Sequence, residues 1–409
     1  MPTTPGCPSR RTRVLLYSHD TQGLGHVRRN LEIARALVEA APQQTDVLVV
    51  TGAPEAGSLP RPDHTDLVVL PPVSKNVRGE YSAATLDVSL EEILQLRGAL
   101  VASAVATFRP DLMIVDKEAR GLRGELDHAL SVARATRGAA TGRRTRLVLG
   151  LRDVLDTPRS VRREWIRGRT VPTLRQYYDQ VWVYGDQAVH DPTAGLSLPQ
   201  DVLDAVRFTG YLAEGRGRPN PALTEFSATR RPYVLCLVGG GQDGRQLAQN
   251  FVEAPLPEGH HGILVAGPYM PDEVRAGLQQ REDLTVLGFV PDTAPLITAA
   301  GAVVTMGGYN SVCEVLAAGR PGLIVPRVRP RQEQAIRAEA MAARTQLDCL
   351  LPEQLSPTSL GAWTREAVRR GTARHELDLQ GLQRVPQLAA ELLSIAPTRN
   401  SKEYADVIA

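Results

Sequence analysis

The chain is poor in lysine, in aromatic residues and in cysteine, and each shortage narrows what it can be. Its only lysines are Lys75, Lys117 and Lys402. A Schiff-base or pyridoxal enzyme needs a lysine in its site, and none lies between Lys117 and Lys402, where the second half would have to supply it. Aromatics make up 4% of 409 residues, so the cores must be filled by Leu, Val, Ala and Ile, which suits buried parallel strands flanked by helices. The four cysteines, Cys7, Cys236, Cys313 and Cys349, have no CxxC spacing and read as small buried hydrophobes in a reducing compartment. No apolar run reaches the roughly 18 residues of a membrane span, and no signal-like segment opens the chain, so a cytosolic protein without an integral membrane segment is expected. Charge of one sign is lacking too: 47 basic residues face 45 acidic ones, which gives no broad attraction to nucleic acid.

What is present is a repeated alternation of short apolar runs and helical patterns. RVLLYS (13–18), DVLVVT (46–51), DLVVL (66–70), DLMIVD (111–116), TRLVLGL (145–151) and QVWVYG (180–185) read as strands of a first α/β unit. The stretch 71–87 has no periodicity and reads as a long loop of the kind that is functional or mobile. From Val88 to Phe108, apolar residues recur at Leu90, Ile93, Leu94, Leu100, Val101, Val105 and Phe108, a core-facing stripe. Residues 212–232 are rich in Gly, Pro and Arg and read as a linker. The alternation then restarts with YVLCLV (233–238), GILVAG (262–267), LTVLGFV (284–290), AVVTM (302–306) and GLIVP (322–326). The expected organisation is an α/β protein of two Rossmann-like domains, 1–211 and 233–375, facing a cleft. Helical residues from 376 would pack back on the first domain before a tail to 409. Ligands should sit at the carboxyl ends of the strands.

The richest segment follows the strand that ends at Met306. Gly307 and Gly308 let the backbone turn, and a helix opens at Tyr309, Asn310 and Ser311, presenting unpaired N–H groups and a positive dipole end suited to a diphosphate. Glu314, about one turn in, could accept both hydroxyls of a ribose. Gly319-Arg320-Pro321 ends that helix, and Glu333-Gln334 opens the next. This pattern resembles the donor-binding signature of the MurG-like glycosyltransferases, family 28, with Gly307, Gly308, Asn310, Ser311, Glu314 and Gln334 at the matching positions. Two further segments support the resemblance. VGGGQDG (238–244) is similar to the family's glycine-rich loop near the donor phosphates, with Gly239, Gly240, Gly241 and Gln242 in place. LGFVPD (287–292) is similar to its base-cradling segment, with Phe289 and Val290 as base contacts. The chain departs from the family where Glu333 replaces the first of two glutamines and Arg337 replaces an asparagine. Arg327, Arg329 and Arg331 fall near the expected diphosphate; one of them, with Arg327 the donor-binding candidate, could assist the leaving group, and exposed surface charge accounts for at least two.

In the first half, HDTQGLGHVRRN (19–30) is similar to the family's acceptor-side loop, with Gly23, Gly25 and His26 opening a helix. A neutral histidine there could act as general base on an acceptor nucleophile; it could equally cap the helix or bond the diphosphate. His19 and Asp20 share the loop and compete for the role. Asp116, at a strand end facing the same cleft, could orient a base, act as one, or simply cap the next helix. Lys75, Asn76 and Tyr81 in the 71–87 loop are candidate acceptor contacts. Gly23-x-Gly25 is not a dinucleotide fingerprint, because Arg28 stands where the third glycine belongs.

The resemblance implies a GT-B glycosyltransferase that moves a sugar from a nucleoside-diphosphate sugar to an acceptor with inversion. No D-x-D triplet occurs, so no metal site and no cofactor beyond the nucleotide sugar are expected, and leaving-group charge would fall to helix N-termini and side-chain donors. The acceptor is open between a small polar metabolite and a lipid-linked sugar, with no apolar, basic-rimmed patch legible in the sequence. A homodimer is compatible with the pattern. A GT-B-type nucleotide-sugar epimerase and a non-catalytic nucleotide-sugar-binding protein share the same donor motif.

Overall fold

The computed structural model describes residues 11–21, 23–76, 80–216, 231–241, 243–278, 281–345, 347–371 and 376–394. Its frame is two parallel sheets. The first contains β1 (Thr12–Ser18), β2 (Thr45–Thr51), β3 (Thr65–Val69), β6 (Leu112–Asp116), β7 (Arg146–Arg152), β8 (Gln180–Tyr184) and β9 (Val206–Phe208), in the order β3-β2-β1-β6-β7-β8-β9. The second contains β10 (Tyr233–Leu237), β11 (His261–Val265), β12 (Leu284–Leu287), β13 (Ala302–Thr305), β14 (Gly322–Ile324) and β15 (Leu347–Cys349), in the order β12-β11-β10-β13-β14-β15. β6, β10 and β13 are buried along their whole length, as strands covered on both faces by helices must be.

Each sheet has one point where successive strands depart in opposite directions, and a crevice opens there at the strand ends. In the first sheet it lies between β1 and β6, which pair through Val14–Leu112 to Tyr17–Val115. His19 and Asp20 follow β1 and Asp116 closes β6, so these side chains converge. In the second sheet it lies between β10 and β13, the strands that lead into the Gly239–Gly241 and Gly307–Gly308 turns.

Several elements differ from the sequence reading. The 71–87 stretch folds part of its length into a hairpin of β4 (Val73–Lys75) and β5 (Tyr81–Ala83), strands too short to leave a period. The helix Leu90–Phe108, capped by a reciprocal Ser89–Glu92 box, buries Ile93, Val101 and Val105 but leaves Leu96 and Leu100 exposed, so the apolar stripe is narrower than its composition suggests. β12 stops at Leu287, leaving Phe289 and Val290 in the loop beyond it.

The start of the expected linker is tied down. Leu212 and Ala213 are buried, the Tyr211 amide donates to the Asp378 carbonyl at 2.7 Å and the Glu214 amide to that of Leu379 at 3.0 Å. Residues 217–230 of that linker lie outside the described residues. The helix Gly381–Ser394 buries Leu382, Val385 and Leu392 in an apolar cluster shared with Ile33, Leu37, Tyr211 and Tyr309, so it packs back on the first domain. Among the described residues no helix is long and apolar enough to cross a membrane.

Candidate active site

The donor-side half begins at Gly307. Its φ of +80°, and the approach of Ile324 Cγ2 to within 2.6 Å of where a Cβ would sit, leave room only for glycine. Gly308 is the N-cap of the helix Tyr309–Ala318, and a Cβ there would meet nothing within 4 Å. The first N–H groups of that helix have no partner within it and carry the positive end of its dipole. Asn310 and Glu314, four residues apart and both buried, lie on one face. Met306 and Tyr309 are buried in apolar clusters, so Tyr309 turns its ring away from the helix tip; its hydroxyl accepts the Leu212 amide proton at 3.1 Å.

Gly241 is fixed as firmly as Gly307: at φ +93°, a Cβ would come 2.4 Å from the Ala266 carbonyl oxygen and 2.7 Å from the Met270 nitrogen. Gly240 lies beneath the Tyr269 ring, and Gln242 lies outside the described residues. Phe289 is 38% exposed, whereas Val290 packs on the apolar cluster.

The arginines after β14 do not gather at the helix tip. Arg327 pairs with Asp243 and, at 3.5 Å, with Glu333; Arg331 reaches across to Glu164 of the first domain at 2.6 Å; Arg329 is exposed. The guanidiniums of Arg327 and Arg331 are held by carboxylates. Glu333 is itself buried and bonded by Arg152 of the first domain at 2.6 Å. Burial alone would raise its pKa, yet the charges of Arg152 and Arg337 outweigh burial and hold it at about 2. Gln334 Oε1 accepts the Arg327 backbone N–H at 2.9 Å.

On the facing side, His26 is the second residue of the helix Gly25–Ala40, and its Nδ1 lies 2.6 Å from Asp116 Oδ2. Burial opposes ionisation of Asp116, but Arg29 and His26 reverse this and hold its carboxyl far below the usual range. The carboxylate therefore needs a proton donor at that distance. With its proton on Nδ1, His26 donates to this carboxylate, the arrangement of a base oriented by a carboxylate; Arg29 Nη2 stands 3.0 Å from the same nitrogen. Arg29 donates to Asp116 Oδ1 at 2.7 Å and also lies over the rings of Tyr184 and Tyr309. One turn of helix thus aims His26 and Arg29 at the same acid.

The two rivals of His26 are placed differently. Burial drops His19 to about 3, and its ring stands edge-on to His26 at 5.3 Å with Nδ1 unbonded. Asp20 accepts from Ser18, from Thr51 Oγ1 at 2.7 Å and from the Val27 amide at 3.3 Å, so it ties the loop to the helix start. Gly23 has a φ of +74° and open space around it. Lys75 and Arg123 lie over the Tyr81 ring and Asn76 bonds Glu80. The hairpin carrying these residues packs on Ile93 and Leu122.

The two halves touch. Asn310 Nδ2 donates to the Gly25 carbonyl at 2.9 Å, and Glu314 Oε1 accepts from Arg28 at 3.0 Å and Arg216 at 3.2 Å. Arg337, the departure noted in the sequence, is fully buried: it bonds Asp153 of the first domain at 2.7 Å and the Gly307 carbonyl at 2.9 Å. Arg28, Arg29 and Arg216 escaped the sequence reading because an arginine-rich chain hides its functional guanidiniums among solvated ones, and Asp153 because its partner Arg337 lies 184 positions away. The one available signal was the spacing of Arg29, three residues after His26.

The glycosyltransferase family 28 C-terminal domain matches residues 234–392. A curated relative, the UDP-N-acetylglucosamine--N-acetylmuramyl-(pentapeptide) pyrophosphoryl-undecaprenol N-acetylglucosamine transferase of Magnetococcus marinus, is 28% identical over 169 residues, 36% of this chain and 45% of the relative. The chain thus spans under half the length of that relative. Among solved structures, MurG of Acinetobacter baumannii superposes with a TM-score of 0.55 at 14% identity, over 93% of this chain and 99% of its own. The glycosyltransferase VinC, in complex with dTDP, superposes with a TM-score of 0.56 at 16% identity, over 94% and 96%. These likenesses establish the GT-B fold.

Proposed function

From a chain whose residues 234–392 are a glycosyltransferase family 28 C-terminal domain on a GT-B fold, we infer an enzyme that transfers a sugar from a nucleoside-diphosphate sugar to an acceptor held by the first domain. The observation that carries this is the juxtaposition of the Tyr309–Ser311 helix start and Glu314 with the His26–Asp116 pair across the cleft. The diphosphate seats on the helix tip and the ribose hydroxyls on Glu314. His26 Nε2 takes the acceptor proton as the nucleophile attacks the anomeric carbon from the face opposite the leaving group. One displacement of this kind inverts the anomeric centre. Charge on the departing diphosphate is met by helix N–H groups and side-chain donors, so the reaction runs without a metal. A small polar acceptor fits the charged surroundings of His26, and lone cysteines fit a cytosolic setting.

The test is a thermal-shift screen against UDP, GDP and dTDP, followed by turnover with the matching nucleotide sugars, with and without EDTA. At least one diphosphate should raise the melting temperature. Replacing Glu314 by Ala should weaken its binding about tenfold or more, and chelation should leave transfer intact. A wild-type protein indifferent to all three diphosphates would refute the reading.

A further inference from the structure

Glu314 cannot hold a ribose in the arrangement just described, because its hydrogen-bonding capacity is nearly filled. Oε1 accepts from Arg28 Nη2 at 3.0 Å and Arg216 Nη1 at 3.2 Å, and Oε2 accepts from Thr293 Oγ1 at 2.9 Å. A vicinal diol needs one acceptor position on each oxygen, and a carboxylate oxygen offers about two. One arginine must leave Oε1. Arg216 is the anchored one: its side chain is 2% exposed and it also bonds Asn310 Oδ1 and the Leu212 carbonyl. Arg28 is 25% exposed, and the Glu314 bond is the single side-chain bond described for it.

Where Arg28 would go is set by its surroundings. With Glu314 and Asp292 it lines an opening of about 120 Å3 between the two domains. Its helix begins at Gly25, whose carbonyl bonds Asn310 at the tip that would hold the diphosphate. The other cations on that wall are engaged: Arg35 bonds Glu32 and the Gly215 carbonyl, and Arg61 sits 3.9 Å from Asp66 at the rim. A nucleoside diphosphate would bring its negative charges beside Glu314 and Asp292, where burial and the nearby Glu314 charge already disfavour ionisation of Asp292. Binding needs a mobile guanidinium at that point, and a guanidinium suits phosphate oxygens geometrically as well as by charge.

We propose that Arg28 is a donor-binding residue supplied by the first domain, which exchanges Glu314 for the phosphate of the nucleotide when ribose takes the carboxylate. The inference rests on the proposed donor site and adds to it a contact from the opposite domain. It makes nucleotide binding a two-domain event: the helix that carries His26 also carries a donor contact.

The test compares nucleoside with nucleoside diphosphate on the full chain, by calorimetry, for wild type, Arg28→Ala and Arg28→Lys. Using whichever of UDP, GDP or dTDP binds the wild type, Arg28→Ala should raise the diphosphate Kd about tenfold or more. Affinity for the matching nucleoside should hold or tighten, because Glu314 is freed. Arg28→Lys should recover part of the diphosphate affinity. Equal loss of nucleoside and diphosphate binding, or an Arg28→Ala variant that binds the diphosphate as well as wild type, would overturn the inference and leave the donor site standing. Wild type binding none of the three would overturn both.

Discussion

The Asn310 side chain and the Gly25 carbonyl oxygen stand 2.9 Å apart, so the helix that opens toward the donor and the helix that carries His26 begin against one another. In a fold of two domains, this contact makes the reacting groups neighbours. Each of the expectations below depends on that juxtaposition or on the pairs that keep it.

The first concerns the base. Asp116→Asn removes the charge that fixes the His26 tautomer while keeping the shape of the side chain. The expected result is a fall in kcat of about 10²–10⁴, with the nucleoside-diphosphate Kd changed little. The buried Arg29 loses its partner as well, so a lower melting temperature should accompany the loss. Steady-state kinetics and calorimetry on the same preparation check both parts.

A second concerns acid stability. Burial lowers His19 from its ordinary 6.5 to about 3, so in that interval the unfolded chain binds a proton that the folded one refuses. The stability linked to His19 is fully present above about pH 6.5 and is lost as pH falls toward 3. The slope approaches about 1.4 kcal/mol per pH unit. Glu333 adds a second loss beginning lower, as pH falls through its ordinary 4.5 toward about 2. Urea melts between pH 7.5 and 5 should show the first slope in wild type and a flatter profile in His19→Gln.

The third expectation concerns Arg337 and Asp153, each 1% exposed and from opposite domains. Removing one partner strands a buried charge, so Arg337→Met and Asp153→Asn should each destabilise by about 3–5 kcal/mol. The double variant should lose clearly less than the sum, because no charge is then left alone. Additive losses would show that the two residues act independently.

These pairs also show what a sequence can and cannot reveal. The two sheets were legible because β1, β6, β10 and β13 are apolar runs set between helical patterns, and the Gly307–Glu314 segment because its glycines and acid have fixed spacing. The resting partner of Glu314 was not legible: Arg28 reads as surface charge until Gly25 and Asn310 are brought together. Arg337 read as a departure from a family pattern, and only Asp153, 184 positions earlier, explains it. The hairpin Val73–Ala83 escaped notice because three-residue strands are too short for alternation to register. Long-range pairing between charged side chains leaves no local period, so the interdomain contacts were the part hidden.

A fourth expectation tests the turn itself. Gly307→Ala places a Cβ against Ile324 at a φ of +80°, a strain on the order of 1–3 kcal/mol. The turn must shift, and the helix tip with it. Nucleoside-diphosphate affinity should fall by more than the modest change in melting temperature suggests. Gly308→Ala, with open space around it, should be far milder on the same two measurements.

The most direct measurement is a crystal structure of the protein with the nucleoside diphosphate that stabilises it most. The account predicts diphosphate oxygens within hydrogen-bond reach of the Tyr309–Ser311 amides, ribose hydroxyls on Glu314, and the Arg28–Glu314 bond broken. A nucleotide bound elsewhere, with that helix start empty and the Arg28–Glu314 bond intact, would contradict it.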